Sequence, residues 1–203
     1  MPKITKITQQ VKRVDRYSIF VDDKYAFSLS EAALLGSKIH SGQELTKEQV
    51  GEFKKLSADD KLYNQTLRYV AMRPRTRWEI ETYLERKNGS PTPKEQIVNK
   101  LTNIGLIDDE KFAKAFVADR RLLRPTSRRK LIAELRKKRL ASGIIEQAVG
   151  SEKDEERTAL AEVIAKKRKQ AKYQDDLKLM QYLARQGFNY DDIKHELSAE
   201  NED

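Results

Sequence analysis

The chain has 203 residues, room for one large domain or two small ones, and no Cys, which excludes disulfides and thiol chemistry. Its 41 Lys and Arg against 32 Asp and Glu leave a formal charge of +9, which favours an anionic partner, and its hydrophobic share of 38% is low for one compact globule. The N-terminal stretch MPKITKITQQVKRVDRY carries no signal-like apolar run, no segment approaches a membrane span, and the chain reads as cytoplasmic and free of membrane.

In chain order, RYSIFVDDKYAFSLS predicts a β-hairpin. Tyr17, Ile19 and Val21 alternate with Ser18 and Phe20, and Tyr25, Phe27 and Leu29 alternate with Ala26, Ser28 and Ser30, about a turn at Asp22–Lys24. KITKITQQV can add a third strand, and such a small sheet must pack on something. SEAALL and LTKEQVGEFKKL read as short helices capped by Ser30 and Thr46.

From Ala58 onward the pattern is helical. TRWEIETYL places Trp78, Ile80, Tyr83 and Leu84 at helical spacing, with Thr76 and Glu79 as a capping box. SPTP (90–93) reads as a loop, and KEQIVNKLTNIGLI as a helix ended by Gly105. The pattern then repeats. DDKLYNQTL (59–67) matches DDEKFAKAF (108–116), and RPRTRWEIETYL (73–84) matches RPTSRRKLIAEL (124–135) at an offset of 51. LKLMQYL (177–183) repeats the helix 48 residues further on, with Leu84, Leu135 and Leu183 as its common end. The expected fold is mainly α: three tandem three-helix repeats in an elongated curved array, preceded by a small β segment. The expected boundaries are 1–57 for the β-rich segment and 58–107, 108–150 and 151–203 for the repeats.

Asp–Asp pairs occur at 22–23, 59–60, 108–109, 175–176 and 191–192. The last four are expected at helix starts, where Asp accepts from free backbone N–H groups, each cap contributing ~1 kcal/mol. His40 and His195 stand far apart, without Cys or a second His nearby, so neither resembles a zinc site. No phosphate-binding Gly-rich loop is present, and no local pattern suggests a nucleophile with its base. The reading is a non-enzyme without cofactor or metal.

The cations are more informative. Arg120, Arg121, Arg124, Arg128, Arg129, Lys130, Arg136, Lys137, Lys138 and Arg139 crowd the middle repeat, more than helix-dipole complementarity requires. Arg73, Arg75 and Arg77 occupy the matching turn of the first repeat, and Lys166, Lys167 and Arg168 give the third a similar cluster. Together they predict a polyanion-binding strip. Trp78, Tyr83, Phe112 and Phe116 fall on apolar helix faces and are expected in the core rather than as stacking platforms.

RPRTRWEIETYL, IGLIDDEKFAKAFVADR and LIAELRKKRL, in that order, resemble the RecX family, regulators of the RecA recombinase. YSIFVDDKYAFSLS is similar to the N-terminal extension of its Gram-positive members, so nearly the whole chain is covered. The chain is expected to be a monomer, and the resemblance implies that it binds along the RecA–DNA filament, reaches into its groove and modulates the recombinase, usually by inhibition, in repair, recombination and the SOS response. Direct, non-specific binding to single- or double-stranded DNA is implied as well. The chain departs from the family pattern at Ser127, where Gly is common, and at Arg139, where Gly commonly ends the helix. A left-handed backbone at Arg139 would cost ~1 kcal/mol relative to Gly; alternatively the helix runs on to Ser142–Gly143. A stand-alone DNA-binding protein is the alternative function.

Overall fold

A computed structural model describes residues 1–87, 91–151 and 153–200. It divides into two compact units, residues 1–74 with 80–106, and residues 75–79 with 107–203.

The first unit opens with an antiparallel sheet of β1 (Ile4–Gln10), β2 (Arg13–Val21) and β3 (Lys24–Ser30), in that order. Asp22 and Asp23 take φ of +48° and +62°, the left-handed pair that a tight hairpin turn needs. Ile7, Ile19 and Phe27 form one cross-strand row. That row packs with Ile4, Leu29, Ile39 and Leu45 into the sheet's core. Ser30 caps α1 (Glu31–Ser37), accepting from the Ala33 N–H. A Thr46–Gln49 capping box starts α2 (Lys47–Ala71).

α2 corrects one expectation. It runs unbroken through residues 57–60, so the boundary expected after residue 57 falls inside a helix, and Asp59–Asp60 starts nothing. Asp60 faces the sheet instead. Its carboxylate pairs with the Arg16 guanidinium at 3.0 Å, both side chains 7% exposed, and accepts the Ser30 N–H at 2.9 Å. Arg16 also donates to the Ser28 hydroxyl and carbonyl. This buried network clamps β2 and β3 to the helix.

α3 (Arg77–Arg86) and α4 (Pro91–Asn103) follow. Pro91–Pro93, read as loop, form the first turn of α4, where a missing N–H breaks no helical bond; Ser90 lies outside the described residues. Gly105, at φ +73°, ends α4 as expected, with the Leu106 N–H donating to Leu101 O at 2.9 Å.

In the second unit the middle repeat comprises α5 (Asp109–Leu123), α6 (Arg128–Lys137) and α7 (Ser142–Val149). Its core is built on Val117, Leu131, Leu135, Ile145 and Val149. The third repeat comprises α8 (Lys153–Arg168), a 3-10 turn at Ala171–Tyr173, α9 (Asp176–Gln186) and α10 (Tyr190–Glu200). Leu160, Ile164, Leu179, Leu183, Ile193 and Leu197 fill it. Leu84, Leu135 and Leu183, matched by the repeat offsets, are all fully buried.

Candidate nucleic-acid interface

The second unit contains two joints built on one plan, and they decide which cations remain available. Thr76, before α3, and Ser127, before α6, are both 0% exposed, and each hydroxyl works twice. Each accepts the N–H three residues on, from Glu79 and Lys130. Each also donates to a carbonyl at the end of the matching helix one repeat later. Thr76 reaches Lys138 O at 3.3 Å, and Ser127 reaches Gln186 O at 2.6 Å. The first N–H of each capped helix then meets a carboxylate of the next repeat: Arg77 N donates to Asp109 at 2.8 Å, and Arg128 N to Glu156 at 2.7 Å. A lysine bond closes each joint, Lys138 to Glu79 at 2.8 Å and Lys130 to Gln186 at 2.6 Å.

The Asp108–Asp109 pair thereby divides its labour. Asp108 caps its own helix through the Lys111 N–H at 2.8 Å, while Asp109 serves the start of α3. Asp175 caps α9, and Asp191–Asp192 lie in the first turn of α10, as expected.

The helix ends that the joints bring together need a left-handed residue. Gly187 supplies it after α9, at φ +93°, and a Cβ there would lie 2.9 Å from the Ser127 hydroxyl and 3.4 Å from the Arg129 Cβ. The equivalent residue after α6 is Arg139, at φ +59°, so the helix ends at Lys137 rather than running on to Ser142–Gly143.

Many of the expected binding cations have internal work. Arg120 pairs with Glu134 at 2.8 Å and lies over the Phe116 ring. Arg121 pairs with Glu155 and donates to Val149 O. The Arg128 side chain donates to Gly150 O at 2.8 Å. Arg168 pairs with Asp176 at 2.6 Å, and Lys167 sits over the Tyr173 and Tyr182 rings. Arg73 donates to Pro74 O at 2.9 Å, and Arg75 and Arg77 also interact within the chain. Arg124, Arg129, Arg136, Lys137, Arg139 and Lys166 are exposed, with no side-chain hydrogen bond or ion pair among the described residues.

Arg128, Arg129 and Arg136 line an open groove beside the second joint, together with Arg157 and Tyr190. Arg157 was not among the expected cations. Its neighbours Glu155 and Glu156 hide it from any search for basic runs. Burial holds the Glu156 carboxyl above its ordinary value, and Asp192 adds to this, against the Arg128 N–H and the Arg128 and Arg121 charges.

Trp78 corrects a second expectation: it is 41% exposed. Ile80 and Leu84 take the buried face of α3, and Trp78 lies roughly 200° around the helix from Ile80. Tyr83 is half-buried and stacks on Tyr69, with ring centroids 4.1 Å apart. Phe112 and Phe116 pack against the middle core as expected. Among the described residues no three His, Cys, Asp or Glu side chains gather as metal ligands, and no helix is long and apolar enough to cross a membrane.

Residues 2–46 match the family description "Regulatory protein RecX N-terminal domain", and residues 108–149 match "RecX, second three-helix domain". A regulatory protein RecX of Lactobacillus johnsonii is 34% identical over 77% of this chain, and the match spans only 57% of that relative's length. Regulatory protein RecX of Bacillus subtilis is 31% identical, over 95% of this chain and 75% of the relative. A solved structure titled "Crystal structure of regulatory protein RecX" superposes with a TM-score of 0.75 at 26% identity, over 96% of this chain and 98% of that one. Sheet, repeats and sequence thus agree over nearly the whole length, and the chain belongs to the RecX family of regulatory proteins.

Proposed function

We propose that this protein is a cytoplasmic regulator of the RecA recombinase that binds the RecA–DNA filament as a monomer and lowers its ATPase and strand-exchange activity in repair and recombination. The observation that carries this reading, beside family membership, is a group of exposed cations on the second and third repeats with no side-chain hydrogen bond or ion pair among the described residues, Arg124, Arg129, Arg136, Lys137, Arg139 and Lys166 among them. Such groups meet phosphates or acidic filament side chains at little cost to the fold. The partly engaged cations Arg75, Arg77, Arg120, Arg121, Arg128, Lys130, Lys138, Lys167 and Arg168 add positive charge to the same unit, and Arg73 adds its own to the first.

A RecA ATPase and strand-exchange assay with this protein added tests the proposal: both activities should fall as the protein approaches filament stoichiometry. Unchanged activity would sink it. The second reading, a stand-alone non-specific DNA binder, rests on the same cations. It predicts equal affinity for naked and recombinase-coated DNA at physiological salt, whereas filament binding predicts a preference for coated DNA.

A further inference from the structure

Two departures from the chain's own pattern meet at the first joint. Trp78 leaves 41% of a large aromatic residue in solvent, whereas Ile80 and Leu84 of α3 are fully buried. Arg139 holds a left-handed backbone that Gly187 adopts without strain one repeat later. By the repeat offsets Trp78 corresponds to Arg129, and Arg139 to Gly187. At the second joint the Arg129 Cβ is 3.4 Å from where a Gly187 Cβ would stand. At the first joint the bonds from Thr76 to Lys138 O and from Lys138 to Glu79 tie the two residues that flank Trp78 to the residue before Arg139. Arg136, one turn back on α6, is also exposed and unpaired among the described residues. Backbone strain retained at Arg139, whose exposed side chain makes no hydrogen bond or ion pair among the described residues, points to work done outside the fold.

We propose that Trp78 and Arg139 form a seat for one nucleotide of a single-stranded nucleic acid, with the base stacked on the indole and the phosphate on the guanidinium. The seat rests on the polyanion-binding reading above and gives it a defined partner. An indole face takes any unstacked base, and a duplex keeps its bases stacked and out of reach. Arg139 and Arg136 supply the phosphate attraction, so the seat is tolerant of sequence and sensitive to salt.

Trp78 is the single Trp of the chain, so its emission reports on the seat directly. Saturating thymidine oligonucleotide should quench it. Trp78→Leu should weaken binding, read by anisotropy of a labelled oligonucleotide, roughly 5- to 150-fold, the range for loss of one base–aromatic stack. Trp78→Phe should retain most of the affinity, which guards against a folding artefact. Arg139→Gly should keep or raise the melting temperature, yet make the log–log salt slope shallower by about 0.7. Tight oligonucleotide binding with unchanged emission, or a folded Trp78→Leu variant that binds as well as the parent, would overturn the seat while leaving the wider reading intact. Quenching by recombinase without DNA would also overturn it, in favour of a protein contact. A parent protein that binds neither oligonucleotide nor coated DNA would end both.

Discussion

Glu156 shows how much a single carboxylate does at a joint. It is half-buried, it accepts the first N–H of α6 from Arg128, and Asp192 stands close enough to oppose its charge. Burial raises its pKa, so the folded chain holds this proton more tightly than the unfolded chain. Its stabilising effect is therefore complete below the ordinary carboxylate value and is lost as pH rises through the folded value. Glu156→Gln keeps an oxygen for the Arg128 N–H and removes the buried charge. Melting temperatures taken from mildly acidic to neutral pH should show the parent losing ground to the variant as pH rises. A variant that instead falls behind toward neutrality would mean that the Arg128 and Arg121 attractions outweigh desolvation. None of this was legible in a run reading EKDEER, because the partners lie 28 and 36 residues away. Asp108 was legible, since an N-cap bonds three residues on; Asp109 was not, since its partner is Arg77.

At the scale of elements, α2 makes the β-rich segment and the first repeat parts of one body. Its first half carries Phe53 against the sheet, stacked on Phe27 at 5.7 Å, and its second half buries Leu62 and Val70 in the first unit. The Arg16–Asp60 pair stands at the middle of this span. Removing one partner of a buried pair leaves the other charge without compensation, so Asp60→Ala should cost about 3–5 kcal/mol. Urea unfolding followed by Phe or Tyr signals of the first unit measures it, and a loss under about 1 kcal/mol would mean that water replaces the carboxylate. The sequence misplaced this element for a physical reason. Asp–Asp before an apolar run is a valid start signal, and only the fold shows that one member turns sideways to a guanidinium on β2.

For the molecule as a whole, the charge of +9 sets the response to salt. Arg124 and Arg129 are the informative pair for reversal, since both are exposed and neither holds a joint through its side chain. Arg128 is a poorer choice, because its side chain grips Gly150 O. Changing Arg124 and Arg129 to Glu should weaken binding to single-stranded or recombinase-coated DNA more than tenfold at moderate salt. The log–log slope should flatten by about one unit or more, at roughly 0.7 per phosphate contact. Stability should move by no more than about 1 kcal/mol. Reversing Lys3 and Lys6, exposed on the first unit, alters the formal charge equally and should do little. Equal losses from both reversals would show that net charge alone governs binding.

What the sequence determined by itself was local. The hairpin with its Asp22–Asp23 turn, the caps at Ser30, Thr46, Thr76 and Asp108, the stop at Gly105 and the three-fold helical period all depend on neighbours within a few residues or on side-chain periodicity. The family resemblance followed from the same stretches. Tertiary structure alone decided what each polar group is for once the helices pack. Composition counts Arg120, Arg121 and Arg124 alike, yet Glu134 and Glu155 neutralise the first two and leave the third in solvent. Periodicity put Trp78 with the core, yet Ile80 and Leu84 already fill that face of α3. A charge or a ring is spent or available according to partners many residues away, and those distances exist only after the repeats have stacked.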